Sequence, residues 1–369
     1  MGKEIMVLGG GVIGLSAAFE LKKRGFHVTV LEKNKCGGQA SGAAAGMLAP
    51  LSEIGEDPDD FFKLSLESLR LFADWQNEIK KVSDEDFEYK ESGSLHVVYH
   101  EADLLALQTR LAWQSQWGVT ARLLSAEQVK EKEPELSDQI IAAMYYPEES
   151  HVYAPGYVKA LETACRQLGV EIYENLGQVE LIEVNNNVLL KSGQGQQFEG
   201  DELVICSGAW AKELEDFFAL SIPIYPIRGQ ICAYELDQKR IGHIVYSSQG
   251  YVVPKANGTL VNGASEDIAG FQTDVTEKGI ARLTNWNHHI FPFLKELKPF
   301  HTWAGLRPAT QDGYPFIGQL KQARNVIFAA GHYRNGILLS PITAKIVGDL
   351  VGGKPTLVPI DRFSPERFS

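Results

Sequence analysis

Apolar and polar positions follow two different periods along the chain. Residues 4–8 (EIMVL) form a short run, apolar after Glu4, that meets three glycines, the pattern of a strand covered on both faces. Residues 12–24 then place Ile13, Ala17 and Leu21 at helical spacing and end in Lys22, Lys23 and Arg24 before Gly25, a helix stop. Residues 27–31 (HVTVL) predict a second strand, closed by Glu32. Asp57 and Pro58 predict the N-cap and first residue of a long amphipathic helix to about residue 81, with Phe61, Leu64, Leu69, Phe72, Trp75 and Ile79 on its core face. Strands are expected at 93–99, 140–146, 170–173, 179–184, 188–191, 202–206 and 325–330, and helices at 101–117 and 155–168. A last helix is expected from Ser340 and Pro341 to residue 350. Turn-punctuated β-rich runs between 222 and 261 predict an antiparallel sheet.

Composition narrows the function classes. Of 369 residues, 44% are hydrophobic and 22% charged, which fits a globular chain with a sizeable core and excludes wholesale disorder. There are 35 basic and 47 acidic residues, a net charge of −12, which argues against nucleic acid or an anionic membrane as partner. The four cysteines, Cys36, Cys165, Cys206 and Cys232, contain no CxxC pair, so a disulfide framework or zinc site is not expected and a reducing cytoplasm fits. No His/Asp/Glu cluster has metal-ligand spacing. The uncharged segment 5–19 is broken by glycines and lacks a basic flank, so it does not read as a signal peptide. The uncharged run 36–52 is too rich in Gly, Ala and Ser to span a bilayer.

Gly9, Gly11 and Gly14 form G-x-G-x-x-G between a strand and a helix, where a dinucleotide fingerprint has to lie. Glycines there permit the tight turn and let the backbone approach a pyrophosphate, and the helix N-terminus faces the phosphate charge. Glu32, 18 residues after Gly14, is placed to accept from a ribose 2′-OH. An acid there repels a 2′-phosphate, which disfavours NADP and leaves FAD or NAD. The fold expected is α/β: a Rossmann-like domain and a second α+β domain built on a large antiparallel sheet. Residues 1–86, 151–220 and 302–369 are assigned to the first, and 87–150 and 221–301 to the second.

Four blocks carry a family resemblance. They are the βαβ unit ending at Glu32, residues 41–48 (SGAAAGML), residues 303–308 (WAGLRP) with 312–318 (DGYPFIG), and residues 331–339 (GHYRNGILL). With these the chain resembles the amine and D-amino-acid oxidase flavoproteins, and among them the glycine-oxidising branch. The resemblance implies FAD held without a covalent bond. Sarcosine oxidases of the superfamily tether flavin to a cysteine in the C-terminal part, whereas the last cysteine here is Cys232. The family pattern puts Val12 and Ile13 at the pyrophosphate turn, and Glu32 and Lys33 at the adenosine. It puts Ala40, Ser41, Ala45, Gly46 and Met47 along the flavin side, Val179 near the adenine, and His332, Tyr333, Arg334, Asn335, Gly336, Ile337 and Leu338 around the isoalloxazine. A homotetramer and O2 as acceptor are likewise implied by resemblance.

Oxidising an α-amino acid requires its Cα–H to be held against the flavin, and a neutral bound amine makes a protein base unnecessary. The site must then supply a carboxylate anchor. Arg307 leads, because a planar guanidinium grips a carboxylate through two parallel bonds; the alternative is a structural pair with Asp312. Arg334 is a second candidate, or a partner of backbone carbonyls. Tyr251 aligns with the family's substrate-contacting tyrosine, and Met47 either caps the substrate or fills core space. The turn at Asn335 and Gly336 offers backbone N–H groups to charge developing on the flavin. Gln249 and Glu266 depart from the histidine and methionine that occur there in the family, both on the substrate side. The expected activity is oxidation of glycine, sarcosine and small D-amino acids. A D-amino-acid oxidase or dehydrogenase of the same fold, or a flavin-binding protein without turnover, are the alternatives.

Overall fold

The computed structural model describes residues 2–53, 58–185, 187–236 and 240–369. Its first large sheet has six strands, in the order Phe316–Gln319, Val326–Ala330, Glu202–Ile205, Glu4–Leu8, His27–Leu31 and Glu171–Tyr173. All neighbours are parallel except Phe316–Gln319, which closes one edge antiparallel. Alternation along the strands explains their unbroken apolar runs. Ile5 and Val7 face a layer of helices, where they pack with Leu15, Phe19, Trp75 and Tyr157. Met6 and Leu8 face the other way, onto Leu181, Leu190 and Phe198 of a three-stranded antiparallel sheet. Both faces are covered, so neither side of a strand can be polar.

The helix layer comprises Val12–Lys23, Asp60–Ser83, Ala154–Gln167 and Gly336–Val351. Two of these differ from the sequence expectation. Asp57, expected as N-cap, lies outside the described residues, and the cap is Asp59, whose carboxylate accepts from the Phe62 N–H at 2.7 Å. The C-terminal helix begins at Gly336, before Ser340, and carries Pro341 inside it. Proline leaves the Ile337 carbonyl without its helical donor, and the Ser340 hydroxyl donates to that carbonyl at 2.8 Å instead.

The second large sheet has eight strands, in the order His301–Thr310, Ile224–Glu235, Thr259–Gly263, Gly250–Pro254, Ile244–Ser247, Ser94–Val98, Ala142–Tyr146 and Arg122–Ser125. Its pairings are antiparallel apart from Ile244–Ser247 with Ser94–Val98. His301–Thr310 pairs with Ile224–Glu235 continuously, from Ile224 opposite Thr310 to Ala233 opposite His301. The boundary expected at 302 therefore cuts through a strand of this sheet. Gly229 opposite Gly305 and Pro226 opposite Pro308 break the alternating β pattern, which hid this strand in the sequence. A small sheet of Met47–Leu48, Ser150–Val152 and Tyr89–Lys90 completes the wall between the two large ones. Among the described residues no helix is long and apolar enough to cross a membrane.

Candidate functional site

The carboxyl ends of the parallel strands open into one long cleft that continues to the eight-stranded sheet. It holds about 1830 Å³ of space free of protein atoms, part of it open to solvent.

One end is built from backbone. Gly9 has φ +109°, and a Cβ there would lie 2.5 Å from the Cys206 carbonyl oxygen; a Cβ on Gly14 would lie 1.9 Å from the Gly9 oxygen. Only glycine fits either position. Gly14 thus lets the helix Val12–Lys23 sit against the strand, while Gly9, Gly11, Val12 and Ile13 line the cleft. The Ser41 hydroxyl accepts from the Val12 N–H at 2.9 Å, capping this helix from a distant segment where Gly11 has no side chain to do so. Glu32 and Lys33 line the same end. Glu32 accepts from the Gly10 N–H at 2.7 Å and the Asn34 N–H at 2.8 Å, and a carboxylate with about four acceptor positions keeps capacity for a hydroxyl.

Ala40, Ser41, Ala45, Gly46, Met47 and Val179 also line the cleft. Its wall at Ala45 is fixed from behind by Lys255, which is buried and donates to the Ala45 and Val152 carbonyls at 2.7 and 2.8 Å. Burial lowers that ammonium to about 7. Trp303 donates from its indole to the Ala43 carbonyl at 2.9 Å and steadies the neighbouring turn.

Opposite these, the loop after Val326–Ala330 contributes His332, Tyr333 and Arg334, and the next helix contributes Gly336 and Ile337. The two helix N-termini at Val12 and Gly336 both face the cleft, bringing the positive ends of two dipoles to it. His332 shares a 3.0 Å hydrogen bond with the Thr343 hydroxyl, and burial lowers its imidazole to about 3, so it is neutral. Tyr333 has φ +46°, rare for a bulky residue, and its N–H donates to the Pro308 carbonyl at 3.0 Å. Two residues expected around the ring lie elsewhere. Leu338 is buried in the core beneath the parallel sheet, and Asn335 faces a separate shallow depression shared with Asp59 and Asp312. Both are carried away by the helical turn that begins at Gly336.

The far end carries Arg307, Tyr251 and Arg334. The Arg307 guanidinium lies flat on Gly229, where a Cβ would come within 2.5 Å of its central carbon, and donates to the Ser265 carbonyl at 2.9 Å. Asp312, the alternative partner, is held by Arg367 at 2.7 and 3.0 Å. Tyr251 is buried, which raises its phenol pKa, while Arg307 and Arg334 act on it in the opposite direction. Tyr246 stands directly across from Tyr251 in the strand pair and interacts with Arg334. Arg334 donates to Glu53 and Glu266, both at 3.2 Å, and the Glu53 charge is the main cause of its raised pKa.

Several lining residues were not singled out in the sequence. Cys206, Ser207, Gly208, Ala209 and Trp210 form the turn after Glu202–Ile205, at the carboxyl end of a parallel strand, the position that could have revealed them. Trp210 lies under the Lys33 ammonium, 5.7 Å from ring centroid to Nζ. Glu53, another lining residue, carries no local motif, and neither does Tyr246, the strand partner of Tyr251.

A dinucleotide fits this cleft on two observations. Gly9 and Gly11 present bare backbone to the cleft, as a pyrophosphate needs, and the Ser207 hydroxyl in the cleft wall is buried without a hydrogen-bond partner among the described residues. Comparison with known proteins agrees. The family model DAO, FAD dependent oxidoreductase, matches residues 4–350. The chain is 32% identical over 366 residues to glycine oxidase of Geobacillus kaustophilus (strain HTA426), covering 99% of this chain and 97% of that one. It is also 32% identical over 372 residues to the bifunctional protein ThiO/ThiG of Synechocystis sp. (strain ATCC 27184 / PCC 6803 / Kazusa), covering 99% of this chain and 54% of that longer protein. The crystal structure of the Geobacillus kaustophilus glycine oxidase superposes with a TM-score of 0.94 over 99% of each chain. With its fingerprint, cleft and matched residues taken together, the chain belongs to the DAO family of FAD-dependent oxidoreductases.

Proposed function

We propose that the protein oxidises glycine and small amines such as sarcosine and small D-amino acids, with FAD held non-covalently in the cleft. FAD bound there supplies the acceptor for a hydride leaving the substrate Cα. The net conversion is glycine, O2 and water to glyoxylate, ammonia and hydrogen peroxide, with methylamine in place of ammonia from sarcosine.

In this reading Gly9, Gly11, Val12 and Ile13 hold the pyrophosphate, Glu32, Lys33 and Val179 the adenosine, and Ala40, Ser41, Ala45, Gly46, Met47, His332, Tyr333, Gly336 and Ile337 the ring system. Arg307 grips the substrate carboxylate, and the Tyr251 hydroxyl donates to it. Met47 limits the space beyond Cα. The neutral His332 adds no cation that competes with Arg307 for the carboxylate, and the helix at Gly336 turns its N–H groups toward developing negative charge. No protein base is needed, because a substrate amine bound neutral loses its Cα hydrogen with both electrons.

The observation that carries the reading is Arg307, turned into the cleft with Asp312 taken by another arginine. The test is the visible spectrum of the purified protein under anaerobic conditions. Flavin bands that bleach with glycine and return on admitting air support both substrate and acceptor. Bands that persist with glycine and bleach with D-alanine or D-proline sink the glycine assignment.

The family role that fits is supply of iminoglycine for the thiazole of thiamine, in a cytoplasmic homotetramer. The division into a discontinuous FAD domain and a substrate domain belongs to the same proposal, with residues 302–310 moved to the substrate side.

A further inference from the structure

The substrate end of the cleft contains one guanidinium more than a single carboxylate needs, and that guanidinium is already occupied. Arg334 donates from Nη1 to Glu266 and from Nη2 to Glu53, both at 3.2 Å. Each acid sits on backbone that is itself held. Glu53 ends the short helix Pro50–Glu53, whose Leu51 and Ser52 N–H groups donate to the buried Glu149 at 2.6 and 2.8 Å. Glu266 follows Ser265, whose N–H donates to the Gln230 carbonyl at 3.1 Å and whose own carbonyl receives Arg307 at 2.9 Å. The Glu53 side chain is 13% exposed and that of Glu266 49% exposed. Two carboxylates on one guanidinium leave this group of three with a charge of −1. Arg307 is then the cleft-lining cation at this end, among the described residues, whose side chain is not bonded to a carboxylate.

We propose that Glu53 and Glu266 act as a charge filter: holding Arg334 from both sides, they reserve the site for substrates with one carboxylate and turn away those with a second. Without them, Arg307 and Arg334 together form a two-point receptor for a dicarboxylate. With them, a second carboxylate meets net negative charge and an arginine already paired with two acids. The inference rests on the reading of Arg307 as carboxylate anchor, and it names the substrate class of that same site.

The test is binding, measured apart from turnover. The FAD-loaded protein, Glu266→Gln and Glu53→Gln are titrated calorimetrically with acetate and with malonate, at a mildly alkaline pH where both acids are fully ionised. The unaltered protein should bind acetate more tightly than malonate. Glu266→Gln should raise the malonate-to-acetate affinity ratio by roughly threefold or more, and the less exposed Glu53→Gln by a larger factor. Malonate binding as tightly as acetate in the unaltered protein overturns the filter, as does a ratio that Glu266→Gln leaves in place, or absence of acetate binding. Glu266 lies on the half-exposed rim, so its variant decides the matter even where Glu53→Gln fails to fold. Glycine bleaching of the flavin, recorded on the same samples, reports on the oxidase reading alone. Loss of bleaching with the ratios as expected sinks the oxidase and leaves the filter standing.

Discussion

Asp312 lies against Arg367 and not against Arg307, with contacts of 2.7 and 3.0 Å to the guanidinium of the C-terminal segment. The pairing holds the Asp312 carboxyl below its ordinary range despite burial that raises it. Arg307, the arginine of the Gly-Leu-Arg-Pro block, is thereby left without a carboxylate partner among the described residues, its guanidinium donating to the Ser265 carbonyl. Arg307→Met should lower kcat/KM for glycine by about 10²–10³-fold while flavin content per chain stays at the unaltered level. Asp312→Asn should lower Tm and leave glycine kinetics alone. Steady-state peroxide assays with a 450 nm absorbance ratio check both.

Gly14→Ala puts a Cβ 1.9 Å from the Gly9 carbonyl oxygen, backbone that cannot yield without moving the helix off the strand. Overpacking of this kind costs about 1–3 kcal/mol. The variant should melt lower as apoprotein and purify with little flavin. A yellow protein with unaltered Tm would show that the strand–helix contact is not what the glycine serves.

Lys255→Met keeps the bulk of the side chain and removes both donors to the Ala45 and Val152 carbonyls. Two buried acceptors are left unpaired, a loss of about 1–3 kcal/mol each. Lower Tm and faster flavin release on dilution are expected, with Lys255→Arg recovering part of each.

Burial pushes the Glu149 carboxyl from 4.5 up to about 7, against donors from Leu51, Ser52 and Ser94 that favour the anion. Between those values the folded chain binds the proton more tightly than the unfolded one, so this group's contribution to stability declines as pH rises from 4.5 to 7 and is level above. Glu149→Gln removes the dependence. Its stability relative to the unaltered protein should climb across that window, by at most about 3 kcal/mol. Melts at a series of pH values check the sign, and a variant that loses stability relative to the unaltered protein between pH 4.5 and 7 would refute it.

The nucleotide end was legible from the sequence because its chemistry is backbone chemistry. Gly9, Gly11, Gly14 and Glu32 lie on one continuous strand–helix–strand unit, and spacing alone places them. Arg307 is pointed to by the block that contains it, and Tyr251 by its alignment with the family's substrate-contacting tyrosine. Glu53 and Tyr246 have no such pointer. Glu53 meets Arg334 across 281 residues, and Tyr246 earns its place only by standing opposite Tyr251 on the next strand. Strand register and long-range ion pairs have no local period, so neither leaves a mark in a window of sequence. The strand His301–Thr310 was missed for a related reason, since facing glycines and prolines remove the alternation that announces a strand.

The Tyr333 N–H bonds the carbonyl of Pro308, the residue after Arg307. The backbone that carries Arg307, the proposed carboxylate anchor, is therefore tied by main chain to the loop on the opposite wall of the cleft. In the proposed reading, such a tie gives every bound carboxylate the same origin from which reach is measured. Amines then compete by what extends past that origin, and selectivity passes from the grip to the walls around the far end.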